Sequence, residues 1–140
     1  MHKIIAFEGL PASGKTTVIN RFKEMMAGKP KPLIIDRFIY STMIYDLIID
    51  RDCLDKMKEF YEFISRWQDI LVVYLDVNPD VSISRDMGRG KWKVYTKDDL
   101  LLIRNLYELF FGMFPLPLLR IDGTLDVDDI VKIIIRRIGE

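Results

Sequence analysis

The clearest chemical signal in the sequence is the segment 9–16, which reads Gly-Leu-Pro-Ala-Ser-Gly-Lys-Thr. It fits the phosphate-loop pattern G-x-x-x-x-G-K-[ST] without a mismatch, between an apolar strand and an amphipathic helix. In such a loop, backbone N–H groups and the helix N-terminus surround the phosphates. We expect Lys15 to reach the β- and γ-phosphates and the Thr16 hydroxyl to hold Mg²⁺. The predicted nucleotide-binding residues are Gly9, Pro11, Ala12, Ser13, Gly14, Lys15, Thr16 and Thr17.

A metal bound to a nucleoside triphosphate needs a carboxylate close to the phosphate loop. Asp36 is the best candidate, because it ends a short apolar run that we expect to form the strand next to the first. Asp76 competes with it, since it also ends an apolar run. The Asn78-Pro79 pair that follows Asp76 favours a turn role for this second carboxylate.

Several cationic side chains are candidates for contacts with transferred phosphates. Arg37 directly follows Asp36, and its guanidinium fork suits a pair of phosphate oxygens. The segment 85–96 lacks periodicity and carries two glycines, which predicts a mobile lid that closes over the phosphates. The cations of this segment are Arg85, Arg89, Lys91 and Lys93.

The composition excludes several other classes of protein. One cysteine, Cys53, and one histidine, His2, exclude an internal disulfide, a Cys/His zinc site and a histidine triad. Lys plus Arg and Asp plus Glu number 21 each, so no net field attracts nucleic acid or anionic lipid. No signal-peptide pattern or membrane-length apolar run is present in the sequence, so we expect a cytoplasmic protein.

Strand and helix signals alternate along the 140 residues, which predicts a single α/β domain over 1–140. Strands are predicted at 3–8, 33–36, 70–76 and 118–122, and helices at 15–27, 39–50, 53–67, 78–85, 96–112 and 126–138. Asn78-Pro79 predicts the start of the fourth helix, and the spacings Asp52–Asp55 and Thr96–Asp99 predict caps for the third and the fifth. This order predicts three layers: a small, mostly parallel sheet with helices on both faces. Ligands then belong at the carboxyl ends of the strands. The acids that end strands there are Glu8, Asp36, Asp76 and Asp122.

With these pieces placed, the chain resembles the thymidylate kinase and deoxynucleoside kinase group of P-loop kinases. The specific similarities are the phosphate loop, opened by Phe-Glu-Gly at 7–9, and the Asp-Arg pair that begins the segment 36–45. Further similarities lie at 73–76 with Pro79 and Arg85, at Arg104 with Tyr107, and at 121–123.

This resemblance implies transfer of the γ-phosphoryl group of ATP to a nucleoside monophosphate or a nucleoside. Lys15, Thr16 and Asp36 would handle ATP and Mg²⁺, and Arg37 would hold the acceptor's phosphate. The other implied contacts are Phe38, Thr42 and Tyr45 at the acceptor, Arg85 and Arg89 in the lid, and Asp122 and Gly123 beside the adenine ring.

The chain differs from this group in two places. Only residues 28–32 separate the first predicted helix from the Asp36 strand, where the group usually inserts a further strand and helices that build the acceptor's base pocket. Pro11 also stands where many thymidylate kinases carry a charged residue.

Three functions remain open from the sequence. A nucleoside monophosphate kinase needs no general base, since its acceptor is already an anion. A hydroxyl kinase acting on a nucleoside or a polynucleotide 5′-end would use Asp36 as base, although the neutral net charge disfavours a nucleic-acid acceptor. A non-catalytic nucleotide-binding protein would use the apolar helices at 39–67 as a homodimer face.

Overall fold

The computed structural model describes residues 3–49, 54–66, 69–87 and 95–139. Strands and helices alternate as predicted. The elements are β1 (Ile4–Gly9), α1 (Lys15–Met25), β2 (Leu33–Asp36), α2 (Ile39–Ile49), α3 (Leu54–Ile64), β3 (Ile70–Asp76), α4 (Pro79–Met87), α5 (Lys97–Met113), β4 (Leu118–Asp122) and α6 (Val127–Ile138).

The four strands form one sheet in the order β2-β1-β3-β4, and every pairing in it is parallel. Phe7 of β1 lies beside Asp36 of β2 on one side and Val73 of β3 on the other. Asp76 lies beside Asp122 at the end of the β3–β4 pair. The carboxyl ends of all four strands therefore meet at one rim, which confirms the predicted three-layer α/β fold.

Each face of the sheet is covered by its own apolar cluster, because alternate side chains of the central strands point to opposite faces. On one face, α1 and α6 cover side chains such as Phe7 and Val73. On the other face, α2, α3 and α5 cover side chains such as Val72 and Tyr74. Both central strands are buried along most of their length, so the rim is held on a rigid base.

Capping side chains determine where helices α4 and α5 begin. Thr96 and Asp99 form the predicted capping box of α5, each side chain accepting from the other's backbone N–H at 3.1 Å. The Asn78 side chain accepts from the Asp80 N–H at 2.8 Å, which confirms the predicted start of α4. The predicted cap at Asp52 lies outside the described residues.

Three predicted helix ends are wrong by two or three residues. The first helix ends at Met25 rather than at 27, because the chain turns into a left-handed conformation at Gly28, whose φ is 76°. Helix α3 ends at Ile64 rather than at 67, and α4 continues to Met87, past the predicted start of the lid near 85. Residues 88–94, which contain Arg89, lie outside the described ranges.

The helices considered as a homodimer face divide into two groups. Ile44 is buried, and Leu47 and Tyr61 are partly buried against the apolar core cluster. Ile48, Phe60 and Phe63 are about half exposed. The predicted homodimer stays a prediction.

Within the described ranges, no helix combines the length and the apolar character that crossing a membrane requires.

One acidic side chain, Glu8 near the end of β1, is fully buried. Burial raises the pKa of its carboxyl above the ordinary value of 4.5, although hydrogen bonds from Ser41 and Phe38 and the charge of Lys15 oppose this shift. The folded protein therefore holds this proton more tightly than the unfolded chain does. The resulting stabilisation is complete below pH 4.5 and is lost as the pH rises through the folded pKa.

We predict that the wild-type free energy of unfolding falls, relative to that of Glu8→Gln, as the pH rises from about 4.5 to neutrality. The amide cannot ionise, so it does not lose stability through this group. Urea unfolding of both proteins across this range measures the difference. The exposed Glu59→Gln serves as control, and a wild-type to Glu8→Gln difference that is independent of pH would contradict the prediction.

Candidate active site

The phosphate loop joins β1 to α1, and its path requires glycine at its first position. A Cβ atom at Gly9 would lie 2.7 Å from Ser13 Oγ and 2.8 Å from the Leu75 carbonyl oxygen. The loop then turns through left-handed conformations at Ala12 and Gly14, with φ values of 58° and 98°. A Ser13 N–H to Leu10 carbonyl bond of 3.1 Å closes the turn. The loop is thus a tight backbone curve packed on β3.

The N-terminus of α1 faces this curve without an acidic neighbour of its own. Gly14 is the N-cap residue, so no side chain caps the helix, and its first turn carries no acid. Among the residues that the structure describes, the buried Ser13 Oγ has no hydrogen-bond partner. A positive helix end beside an unsatisfied hydroxyl suits an anion such as a phosphate.

Lys15 places a positive charge at the loop itself. Its side chain is largely buried, and Nζ donates to the carbonyl oxygens of Gly9 at 3.1 Å and Leu10 at 3.3 Å. Thr16 and Thr17 follow on the exposed side of α1. The predicted loop residues are therefore together at one end of β1.

Helix α4 is fastened to the phosphate loop by two side chains. Ser82 Oγ donates to the Pro11 carbonyl oxygen, and Arg85 Nη1 donates to that of Ala12 at 3.3 Å. Arg85 Nη2 donates to the Gly123 carbonyl oxygen at 2.9 Å. Arg85 thus lies on a helix and joins the phosphate loop to the loop after β4.

These two loops border a groove of about 160 Å³. Its walls mix small polar and apolar side chains, which is typical of small-molecule sites. The lining residues are Ser13, Gly14, Thr17, Val18, Arg85, Gly123, Leu125, Val127 and Ile130.

The two predicted residues after β4 have different surroundings. Gly123 lines the groove, and a Cβ atom there would lie 2.6 Å from the Val77 side chain. The Asp122 carboxylate instead accepts from the Thr124 hydroxyl at 2.6 Å and the Thr124 N–H at 2.9 Å. These bonds lower the pKa of Asp122. Gly123 is the residue of this pair that borders the groove.

On the other side of the phosphate loop, the β2–α2 connection presents Asp36 and Arg37. Both side chains are exposed, and Asp36 lies at the end of β2 next to β1. Arg37 has a left-handed φ of 66°, and its N–H donates to the Phe7 carbonyl oxygen at 2.9 Å. Its guanidinium carbon lies 5.8 Å from the ring centroid of Tyr45. Within the described part of the chain, neither Asp36 nor Arg37 forms an ion pair.

The three acceptor residues predicted after Arg37 differ in what they can offer. Phe38 packs against the apolar core, and the exposed Thr42 donates its hydroxyl to the Phe38 carbonyl oxygen at 3.0 Å. Tyr45 is half-buried, and burial, followed by its interaction with Tyr95, raises its pKa to about 12. Tyr45 therefore keeps its proton at neutral pH and offers a ring face beside Arg37.

Asp76, for which the sequence favoured a turn role, is instead half of an ion pair. Its two carboxylate oxygens accept from Arg104 Nε at 3.0 Å and Arg104 Nη2 at 3.2 Å. The two-bond geometry raises the pKa of Arg104 and holds β3 to α5. Because Asp76 is already committed, Asp36 is the rim carboxylate that stays available to a ligand.

The structure adds a site residue that the sequence identified only as a strand-end acid. Glu8 Oε2 accepts from the Ser41 N–H at 2.8 Å, and Oε1 lies 3.4 Å from the Tyr107 hydroxyl. This hydroxyl also lies 3.2 Å from the Gly9 carbonyl oxygen. The available signal was an acid placed inside an otherwise apolar strand just before the phosphate loop.

Three thymidylate kinases are similar to this chain in sequence, while no family model matches it. The protein of Anoxybacillus flavithermus is 25% identical over 108 residues, which cover 73% of this chain and 52% of that protein. For Leptospira borgpetersenii the identity is 30% over 108 residues, with coverage of 73% and 49%. For Mycoplasmoides gallisepticum it is 31% over 81 residues, with coverage of 55% and 39%. The chain spans about half the length of these relatives or less.

Solved structures share the fold over nearly the whole chain. The YorR protein of Bacillus subtilis in complex with phosphorylated GDP aligns with a TM-score of 0.74 at 22% identity, covering 97% of this chain and 95% of YorR. The deoxyadenosine kinase of M. mycoides with bound dATP aligns with a TM-score of 0.68 at 18% identity, covering 98% and 100%. Together with the phosphate loop, these findings make the chain a P-loop protein that is similar in sequence to thymidylate kinases and in fold to a deoxyadenosine kinase.

Proposed function

We propose that the protein transfers the γ-phosphoryl group of ATP to a nucleotide or nucleoside, with a nucleoside monophosphate as the first candidate acceptor. The observation that carries this proposal is that two cationic groups able to bind phosphate follow the ends of two neighbouring strands. The phosphate loop with Lys15 follows β1, and Arg37, which has no carboxylate partner among the described residues, follows β2.

The donor side fits a nucleoside triphosphate and its metal. The helix end without an acid and the unsatisfied Ser13 hydroxyl would take phosphate oxygens, while the groove would take the base. Thr16 and Asp36 would hold Mg²⁺, because their side chains supply the oxygen ligands that this ion prefers. When bound, the ion neutralises charge on the β- and γ-phosphates.

The acceptor side fits a phosphate better than an uncharged alcohol. The Arg37 guanidinium carbon lies 5.8 Å from the Tyr45 ring centroid, and no carboxylate of the described chain forms an ion pair with it. A phosphate oxygen of the acceptor attacks the γ-phosphorus as the bond to the bridging oxygen breaks and ADP leaves. Because this nucleophile is already an anion, positioning and charge neutralisation are sufficient and no base is required.

The similar proteins support the same class of reaction. The sequence relatives are thymidylate kinases, and the similar structures include a deoxyadenosine kinase and a protein that holds phosphorylated GDP. Their bound nucleotides differ in base, so the shared element is the nucleotide itself. We therefore assign a nucleotide or nucleoside as acceptor and leave its base to experiment.

A second candidate is a hydroxyl kinase in which Asp36 acts as the general base. The observation that favours it is the different states of Glu8, Asp36 and Asp76, three of the four acids at this end of the sheet. Glu8 is buried and Asp76 is paired with Arg104, whereas Asp36 is exposed and unpaired within the described residues. A hydroxyl acceptor, such as a nucleoside or a polynucleotide 5′-end, gains more from a base than a phosphate does.

We predict that ATP consumption depends on an added acceptor and is highest with a nucleoside monophosphate. The experiment supplies ATP and Mg²⁺ with deoxynucleosides, their monophosphates or 5′-hydroxyl oligonucleotides and measures ADP and labelled product. Product only from hydroxyl acceptors would support the second candidate. Hydrolysis without an acceptor, or no turnover at all, would support a nucleotide-binding protein that is not a kinase.

The same acceptor panel on Asp36→Asn separates the roles of this carboxylate. Loss of a metal ligand should lower turnover with every acceptor, and loss of a general base should lower it with hydroxyl acceptors alone. Turnover close to wild type would remove Asp36 from both roles.

We predict that Arg37→Gln raises the KM for a monophosphate acceptor by about tenfold or more, because a charged hydrogen bond contributes about 1.5–3 kcal/mol. The apparent affinity for ATP should change by less than about threefold, since Arg37 lies outside the donor groove. Steady-state kinetics with each substrate varied in turn measures both values. Arg66→Gln, on an exposed turn far along the chain, is the matched control, and equal effects of the two substitutions would contradict the role of Arg37.

A further inference from the structure

Two consecutive residues of β1 hold the segment 37–41, which leads from β2 into α2. The Phe7 carbonyl oxygen accepts the Arg37 N–H at 2.9 Å, and Glu8 Oε2 accepts the Ser41 N–H at 2.8 Å. The segment between these bonds begins with the guanidinium assigned to the acceptor. The strand that leads into the phosphate loop is therefore also the support of the acceptor side.

Helix α2 lacks an acidic side chain of its own where one is needed. Its first turn, which begins at Ile39, contains no acid, so its positive N-terminal end is not balanced locally. The Glu8 carboxyl reaches this end from the neighbouring strand and accepts the Ser41 N–H within the first turn. A capping acid accepts a backbone N–H in the first turn of its own helix. Glu8 accepts such an N–H in α2, although it lies 33 residues earlier in the chain.

The backbone at Arg37 depends on such support. Its φ of 66° lies in the left-handed region, where the backbone of residues other than glycine and asparagine is strained. The hydrogen bonds at Arg37 and Ser41 fix the chain on both sides of Phe38. Without the second bond, the segment is free to relax and move the guanidinium away from its place over Tyr45.

Glu8 also contacts the donor side, through a tyrosine of α5. The Tyr107 hydroxyl lies 3.4 Å from Glu8 Oε1 and 3.2 Å from the carbonyl oxygen of Gly9, the first residue of the phosphate loop. Tyr107 is itself held in an aromatic cluster with Tyr74 and Phe111. The carboxyl is therefore placed between the phosphate loop and the acceptor segment.

We propose that the buried Glu8 carboxyl is a positioning group that holds the acceptor segment 37–41 in register with the phosphate loop. Glu8 has no exposed surface, so it cannot touch a substrate and acts only through Ser41 and Arg37. This inference rests on the proposed function for its kinetic consequence. Loss of the carboxyl should weaken the acceptor site while the loop still binds ATP.

The first experiment compares Glu8→Leu, which removes both oxygens, with Glu8→Gln, which keeps one oxygen to accept the Ser41 N–H. We expect Glu8→Leu to raise the acceptor KM by about tenfold and Glu8→Gln by less than about threefold, with the ATP dissociation constant within about twofold in both. Equal weakening of ATP and acceptor in Glu8→Leu, or no effect on either, would overturn the proposal. So would a Glu8→Gln that loses as much acceptor affinity as Glu8→Leu.

The second experiment measures amide hydrogen exchange and needs neither turnover nor a known acceptor. It uses Glu8→Leu, which removes the oxygen that accepts the Ser41 N–H, with Glu8→Gln, which keeps one such oxygen, as the matched control. We expect exchange at residues 37–42 to quicken in Glu8→Leu more than in Glu8→Gln, while that of α1 stays at its wild-type rate in both. Unchanged exchange at 37–42 in Glu8→Leu would overturn the inference even if the protein proves to be a kinase. Faster exchange there in a protein without kinase activity would support it and reject the proposed function.

Discussion

The close contact between Gly9, Ser13 and β3 is the constraint on which the rest of the site depends. A Cβ atom at Gly9 would lie within 2.8 Å of both Ser13 Oγ and the Leu75 carbonyl oxygen. Because the loop can pack this closely, its turn ends at Gly14 and α1 begins with its N-terminus facing the curve. The same turn positions Lys15 and the groove beside Arg85, since both side chains donate to carbonyl oxygens of the loop. The shape of the phosphate site therefore depends first on the path of the backbone and only second on the side chains.

The acids at the carboxyl ends of the strands are divided among different tasks. Glu8 is buried beside the segment 37–41, Asp76 is fixed by Arg104, and Asp122 accepts two bonds from Thr124. Asp36 is the one of the four that meets solvent without a partner among the described residues. The division leaves a single exposed carboxylate for the proposed contact with a metal ion or an acceptor proton, while the other acids stabilise the rim.

Local features of the sequence predicted most of the fold and the position of the phosphate loop in it. Apolar runs such as 70–76 identify buried parallel strands, and the pattern at 9–16 places a phosphate loop between a strand and a helix. The capping box at Thr96 and the Asn78-Pro79 pair placed two helix starts correctly. These signals are readable because the interacting residues are close together in the chain.

The remaining parts of the site depend on contacts between residues far apart in the chain. Glu8 meets Ser41 across 33 residues and Tyr107 across 99, and no local pattern encodes either contact. The turn role favoured for Asp76 was wrong for the same reason, since its partner Arg104 lies in a later helix. The inward direction of Arg85 likewise follows from packing of α4 on the phosphate loop.

The central claim is that this loop binds the phosphates of a nucleoside triphosphate, and equilibrium dialysis of the protein with ATP and Mg²⁺ tests it most directly. We expect saturable binding to the wild-type protein and a loss of about tenfold or more in affinity for Lys15→Ala, which removes the cation at the loop. Absence of binding to the wild-type protein, or equal affinity in Lys15→Ala, would contradict this account.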